Sequence, residues 1–241
     1  MLTVICPVYN EAENIRNLLE ALKASSCLPM EVLLVYDNEQ DTTVPVIKTI
    51  SPQFPFQIKL VKNRFGSGAL NAIKTGFVSA SGEASLVVMA DLSDDFSVIE
   101  RMYRLITVEG YDIVCGSRYM KGGRHIGGPR LKKFFSRFIG VSLHFLTGIP
   151  VHDLTNSYKM YRTAFLRSIN TESRGGFEIG MELVVKGFAG GGRITEVPST
   201  WSDRRAGKSH FHMWRWGPDY FRWYTYALTH RRQVKSKTDE K

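Results

Sequence analysis

The sequence predicts a single α/β domain with a mainly parallel central sheet flanked by helices. Three observations carry that expectation. Short apolar runs alternate with helix-forming stretches, the rhythm of βαβ units. Acidic residues gather where successive apolar runs end, the edge at which open parallel sheets hold ligands. The 241 residues, 43% of them hydrophobic, suffice for one core, and neither a linker nor an internal repeat divides them.

Taken in order, Leu2 to Cys6 reads as the first strand, ended by Pro7, with Asn10 placed to cap a helix carrying Glu11 and Glu13 in its first turn. Glu31 to Tyr36 is the second strand and ends in Asp37, Glu39 and Asp41. Phe56 to Val61 is the third, followed from Asn63 to Gly76 by a glycine-containing turn that enters a helix. Gly66 and Gly68 resemble the start of a dinucleotide fingerprint, but Asn71 stands where its third glycine belongs. Leu86 to Ala90 is the fourth strand, running into Asp91, Ser93, Asp94 and Asp95 ahead of a helix from about Ser97 to Thr107. Tyr111 to Cys115 ends in Gly116, Ser117 and Arg118. A glycine-rich basic loop, Lys121 to Arg130, leads into a helix with an apolar face running to about Thr147. Within it, Phe138 to Val151 is too short for a membrane span and suits a core or interfacial helix. Asp153 to Arg162 alternates as a strand does, Glu178 and Glu182 lie one turn apart on a helix, and Arg193 to Pro198 is a closing strand.

The acids after the fourth strand are hard oxygen donors, suited to a divalent cation that holds a diphosphate. Capping of the next helix is the plainer role open to Asp94 or Asp95. The net charge of +9 is concentrated: seven Lys or Arg and no acid from Arg118 to Arg137, and ten against four acids from Trp201 to Lys241. Such a field has an anionic partner, and nucleic acid, an anionic membrane surface and a phosphorylated substrate are all compatible with it. Three cysteines, Cys6, Cys27 and Cys115, fit a reducing compartment, and no basic leader precedes the first strand. Ala206 to Ser209 mimics the end of a P-loop, but Ser202 stands where its first glycine should be.

The motifs in series resemble the family 2 glycosyltransferases, and within them the dolichol-phosphate mannose synthase-like branch. Pro7, Tyr9, Asn10 and Glu11 match P-x-Y-N-E; Asp37, Asp41 and Thr43 match D-x-S-x-D-x-T with Glu39 in place of Ser. Asp91 and Leu92 match the second half of D-x-D-L-Q, where Met89 replaces the first Asp and Ser93 the Gln. Gly116 to Arg118 match G-S-R, and Asp153, Asn156, Tyr158, Lys159 and Arg162 follow the pattern D-x-x-S/T-G/N-x-F/Y-R with substitutions. Glu196 to Pro198 match E-V-P, and Arg204, Gly207 and Ser209 match R-x-x-G-x-S-K with His210 last. The matches span residues 4 to 210.

The resemblance implies a GT-A (nucleotide-diphospho-sugar transferase) fold, with residues 1–210 as catalytic domain. Residues 211–241 are expected to be an aromatic and basic helix and tail, in which Trp214, Trp216, Tyr220, Phe221, Trp223 and Tyr224 interleave with Arg215 and Arg222. That composition suits either a membrane interface or packing on the core. The implied activity is inverting transfer of a sugar, mannose or glucose, from a GDP- or UDP-sugar to a polyprenyl phosphate, with Mg²⁺ or Mn²⁺ at Asp91 assisted by Ser93, Asp94 or Asp95. Pro7, Tyr9, Asn10, Glu11, Asp37 and Gly68 are expected at the donor nucleotide, and Arg204, Ser209 and His210 at its phosphates. Arg118, Lys132 and Ser136 are expected at the acceptor phosphate; Asp91, Arg118 and Arg204 are the expected catalytic residues. The expected location is the cytoplasmic face of a membrane, with a second copy or a membrane-protein partner left open. A sugar hydroxyl as acceptor would instead need a carboxylate base, for which Asp153 and Glu178 are candidates. A nucleic-acid-binding module is the competing class; it leaves the strand-end acids unexplained. Met89 also leaves open a catalytically idle relative.

Overall fold

A computed structural model describes residues 1–203 and 213–230, with backbone alone for 213–216. In chain order these residues form β1 (Leu2–Pro7), α1 (Ile15–Ser25), β2 (Met30–Tyr36), α2 (Thr43–Ile50), β3 (Gln57–Lys62), α3 (Ala69–Ser79), β4 (Ala84–Val87), α4 (Ile99–Thr107), β5 (Ile113–Ser117), β6 (Arg124–Ile126), α5 (Arg130–Thr147), β7 (Lys159–Arg162), α6 (Thr163–Ser168), α7 (Ile179–Ala189), β8 (Ile194–Pro198), β9 (Thr200–Ser202) and α8 (Met213–Thr229). The main sheet runs β3-β2-β1-β4-β7-β5-β8. Neighbours pair in parallel except where β7 lies antiparallel to both β4 and β5. The expected mainly parallel sheet is therefore present, with one reversed strand inside it.

Both faces of the sheet are apolar, as strands covered on two sides must be. On one face Val4, Val32, Leu34 and Leu86 pack with Leu18, Leu22, Ile47 and Met102 from α1, α2 and α4. On the other, Ile5, Leu33, Val35 and Cys115 meet Phe77, Leu143, Val184 and Trp223 from α3, α5, α7 and α8. Growth of the sheet reverses at β1: β2 and β3 are laid on one side of it and β4 on the other. The crevice outside the carboxyl ends of β1 and β4 is thus a topological switch point, where such sheets hold ligands.

Three expectations change. The fourth strand begins two residues earlier than the sequence suggests and ends at Val87, because its antiparallel partner β7 starts at Lys159 opposite that residue. Val88 still donates to the Ile5 carbonyl (3.0 Å), and the chain then leaves the sheet ahead of Asp91. Asn10 caps no helix: α1 starts at Ile15, and Asn10 sits in the left-handed region (φ 56°) as a turn residue. Its N–H donates to Asp41 Oδ1 (3.1 Å) and its Oδ1 accepts from the Thr42 N–H (3.1 Å), which ties the β1 loop to the β2 loop. Finally, the basic loop is not all coil; β6 within it pairs in parallel with β9.

The carboxyl-terminal helix divides its aromatic residues. Tyr220 and Trp223 are buried in the core, and Phe221 is exposed; the side chains of Trp214, Arg215 and Trp216 lie outside the described residues. Among the described residues, no helix is long and apolar enough to cross a membrane.

Candidate active site

Residues 91–95 form an acidic loop at the switch point. Asp91 Oδ1 accepts from the Ser93 N–H (3.2 Å), and Leu92 between them has φ 56°, a costly conformation for a side chain of that size. Asp95 is the capping residue: its Oδ1 accepts from the N–H of Ser97 (3.1 Å) and from its hydroxyl (2.6 Å). Ser93 is buried and its carbonyl accepts from the Ser202 N–H (2.9 Å), so the chain passes this loop on its way out of β9. Arg204, Ser209 and His210 lie outside the described residues.

Asp94 differs from its neighbours. Burial first, then the charge of Asp91, push its carboxyl up from 3.8 to about 7, with Arg118 and Lys159 opposing and Asp153 adding to the rise. Asp94 therefore lies within electrostatic reach of Arg118, Asp153 and Lys159. The folded value lies above the unfolded one, so the stability Asp94 contributes is complete below pH 4 and is lost as pH rises through 7. Asp94→Asn is expected to match the wild type at pH 3 and to gain progressively up to neutrality. Because Asp94 is partly exposed, the gain at pH 8 is about 1–2 kcal/mol, or ~2–8 °C in a melting scan without added metal.

Arg118 follows β5 and is held from several sides. Its backbone N–H and Nε donate to Asp153 Oδ2 (3.0 and 2.6 Å), and its Nη2 donates to Asp153 Oδ1 (2.8 Å), Ser136 Oγ (3.0 Å) and Thr155 Oγ1 (3.1 Å). The side chains are 9% and 0% exposed. Burial raises the Asp153 carboxyl, but the Arg118 charge and hydrogen bonds outweigh it and hold the group below its ordinary value. Burial likewise opposes the Arg118 charge, and Asp153 reverses that and keeps the guanidinium firmly protonated.

Ser136 thus stands with Arg118, as the sequence leads one to expect. Lys132 lies one turn earlier on α5; burial first, then the charges of Arg118, Lys133 and, least, Lys132, lower His125 to about 4, with Asp153 opposing. Asp153 is unavailable as a base, being an ion-paired anion. Glu178 is fully buried and accepts from the N–H groups of Gly175 (2.8 Å) and Gly176, a structural role ahead of α7.

On the other side of the crevice, Asp37 spans two loops: Oδ1 accepts from Asn63 Nδ2 (2.9 Å) and Oδ2 from the Gly68 N–H (2.9 Å). Gly68 precedes α3 with φ 104°, open to glycine alone among common residues. Pro7 ends β1, Tyr9 is 58% exposed, and Glu11 N–H donates to Thr43 Oγ1 (2.9 Å). Pro7, Tyr9, Asn10, Glu11, Asp37 and Gly68 therefore sit at the carboxyl edge of β1–β3, beside the acidic loop. A separate groove of about 520 Å³ runs along the β3 edge, lined by Lys59 to Arg64 with Leu33 and Ser79, and shares none of these six residues.

Sequence reasoning missed Thr155 as a partner of Arg118 and the setting of Lys159. Lys159 is fully buried, and its Nζ donates to the carbonyls of Leu154 (3.1 Å) and Asn156, fixing the turn that carries Asp153. A lysine within an otherwise apolar strand run was the available signal.

For a divalent cation, the described residues supply oxygen donors from Asp91 and Asp94 but no group of three or more His, Cys, Asp or Glu. Asp94, raised by burial and then by the charge of Asp91, and Asp91 itself are the residues that would hold such a cation, and diphosphate oxygens and water would complete its shell. Met89 is partly buried against the apolar cluster on the α3 face and adds no donor.

Solved structures with the same fold include glucosyl-3-phosphoglycerate synthase from Mycobacterium tuberculosis in complex with Mn²⁺, UDP-glucose and phosphoglyceric acid (TM-score 0.70, 13% identity, 98% of this chain and 81% of that one). A complex of the same enzyme with UDP aligns at TM-score 0.69. The fold is that of the GT-A glycosyltransferases. A family model for glycosyl transferase family 2 matches residues 3–169, and the chain belongs to that family. Dolichol-phosphate mannosyltransferase of Pyrococcus furiosus is 30% identical over 212 residues, 86% of this chain and 58% of that protein. Polyprenol monophosphomannose synthase of Mycolicibacterium smegmatis is 27% identical over 210 residues, 86% of this chain and 79% of that protein. The chain thus spans little more than half the length of the first of these relatives.

Proposed function

We propose that the protein transfers a hexose, with inversion, from a nucleoside-diphosphate sugar to a polyprenyl phosphate. The observation that carries this reading is the electrostatic coupling of two charged groups: Asp91 and Asp94 in the loop after β4, and Arg118, hydrogen-bonded to Ser136 with Lys132 one turn away, after β5. The two curated relatives, named for dolichol-phosphate and polyprenol substrates, support the acceptor class.

Asp37, with the Gly68 turn and the Tyr9 loop, holds the nucleoside, and Asp91 directs the diphosphate. A bound Mg²⁺ or Mn²⁺ supplies charge neutralisation for the departing nucleoside diphosphate. Asp91 and Asp94 are the residues that would hold it. Arg204, Ser209 and His210 are assigned to the donor phosphates by their motif alone. The acceptor phosphate is ionised at neutral pH and needs orientation and a positive field rather than a base. Arg118 is fixed by Asp153, so its contribution is a rigid set of donors; Lys132 contributes net charge. The work takes place at the cytoplasmic face of a membrane, with the nucleotide sugar drawn from solution.

A second reading has one observation in its favour. A carboxyl raised to about 7 is poised for proton transfer, so Asp94 could serve as base for a sugar hydroxyl. Labelled GDP-mannose and UDP-glucose, offered with a short-chain polyprenyl phosphate and separately with free sugar acceptors, decide between them. The phosphate reading predicts transfer to the lipid phosphate, and a loss under tenfold for Asp94→Asn at saturating Mn²⁺. Transfer to a hydroxyl, with a loss of ~100-fold or more and disappearance of the limb near pH 7, contradicts it.

A further inference from the structure

The loop that carries Asp91 and Asp94 keeps a conformation its own residues disfavour. Leu92 sits at φ 56°, and a leucine stays there only where the surroundings hold it. Two groups outside the loop grip its backbone: the Ser202 N–H donates to the Ser93 carbonyl (2.9 Å), and the Tyr158 hydroxyl donates to the Asp95 carbonyl (3.0 Å). Tyr158 stands just before β7, is fully buried, and packs its ring against Phe96 with centroids 6.4 Å apart. Burial, then the charges of Asp94 and Asp95, push its phenol well above the ordinary value, so the hydroxyl remains a donor at neutral pH.

The same residue abuts the strand that leads to Arg118. Its ring fills the space that Gly116 leaves open, where a Cβ would lie 2.4 Å from Tyr158 Cδ1. The Tyr158 carbonyl accepts from the Gly116 N–H (2.9 Å), and Asn156 Nδ2 donates to the Gly116 carbonyl (3.0 Å). Tyr158 thus touches the backbone of β5 two positions before Arg118 and, through its hydroxyl, the backbone next to Asp94. We propose that Tyr158 is a positioning residue for the candidate cation site: its hydroxyl holds the strained 91–95 loop in the form that presents Asp91 and Asp94, at a fixed place relative to Arg118. The proposal rests on the reading of those two acids as the cation-holding residues. A buried phenol needs an acceptor in any fold, so packing alone is the competing role. What favours positioning is the identity of the acceptor, the backbone of the loop that contains the left-handed leucine. The cost of one such residue is of the order of one hydrogen bond, so loss of the bond frees the loop to relax.

The test is Mn²⁺ binding to the full chain by electron paramagnetic resonance, with GDP and separately with UDP, for wild type, Tyr158→Phe and Ser85→Ala. The phenylalanine keeps the ring against Gly116 and removes the hydroxyl alone. Ser85→Ala removes a buried hydroxyl near the amino end of β4, whose partner is Thr163 Oγ1 (2.9 Å), and so controls for lost stability. Tyr158→Phe is expected to weaken Mn²⁺ binding about five- to tenfold, the factor by which loss of one hydrogen bond depopulates the competent loop, and to lower kcat. Ser85→Ala is expected to bind Mn²⁺ as the wild type does, although both variants melt at a lower temperature. The KM for a short-chain polyprenyl phosphate is expected to stay unchanged in Tyr158→Phe, since Asp153, Ser136 and Thr155 hold Arg118 without the phenol. Mn²⁺ binding by Tyr158→Phe indistinguishable from wild type overturns the proposal. So does equal weakening in Tyr158→Phe and Ser85→Ala, because the effect then follows stability. Weakening confined to Tyr158→Phe, in a protein that transfers to no polyprenyl phosphate, supports the positioning role and removes the acceptor reading alone. A wild type that binds no Mn²⁺ with either nucleotide overturns the cation reading and the proposal together.

Discussion

Arg118→Ala is expected to lower the unfolding free energy by about 3–5 kcal/mol, because it leaves the Asp153 carboxylate buried without its cation. The pair is nearly inaccessible, and the guanidinium also serves Ser136 and Thr155, so no water can replace the contacts to all three partners. The double variant Arg118→Met, Asp153→Asn removes the stranded charge and is expected to recover most of the loss, which urea titration of the three proteins will show. If Arg118 were a solvated loop cation, the single change would cost under about 1 kcal/mol. The double variant is nevertheless expected to stay inactive, since the donors proposed to orient the acceptor phosphate are gone. Stability and activity thus part company at this residue, and that separation distinguishes a site from a scaffold.

Asp91→Asn is expected to reduce kcat by about 10²–10³-fold with little change in stability. Asp91 is partly exposed at the tip of the crevice and its described hydrogen bond, from the Ser93 N–H, can be accepted equally well by an amide oxygen. What the amide lacks is the charge that, on the proposed reading, holds a cation on the diphosphate. The same change removes the Asp91 contribution to Asp94 and is expected to bring that carboxyl back towards its ordinary range. Steady-state rates over a Mn²⁺ series will check the first expectation, and carboxyl titration by NMR the second.

The sequence reveals the alternation of strands and helices because nearly continuous apolar runs such as Leu2–Cys6 and Leu33–Val35 are buried from both sides. It also reveals that Asp37 and Asp91 lie at strand ends, since a run that stops being apolar has left the core. It does not reveal that β7 is reversed, because a strand's direction depends on the connections before and after it, not on its side chains. Nor does it separate Asp94 from Asp95: adjacent carboxylates in sequence differ only through which one reaches the Ser97 N–H and which one faces Asp91. The pairing of Arg118 with Asp153, 35 positions apart, is hidden for the same reason, and with it the reason Asp153 cannot act as a base. The aromatic carboxyl-terminal helix misleads in composition alone, because Trp223 faces the core while Phe221 two positions earlier faces out.

The central claim is that Asp91 and its neighbour anchor a cation on the donor diphosphate at the β1–β4 switch point, within electrostatic reach of the Arg118 cluster. Anomalous scattering from Mn²⁺ in crystals grown with a nucleoside diphosphate measures this directly. A manganese peak ~2.1–2.4 Å from an Asp91 oxygen, in contact with the diphosphate, is the predicted result. A diphosphate bound elsewhere, or bound in the crevice with the metal peak away from Asp91, contradicts it.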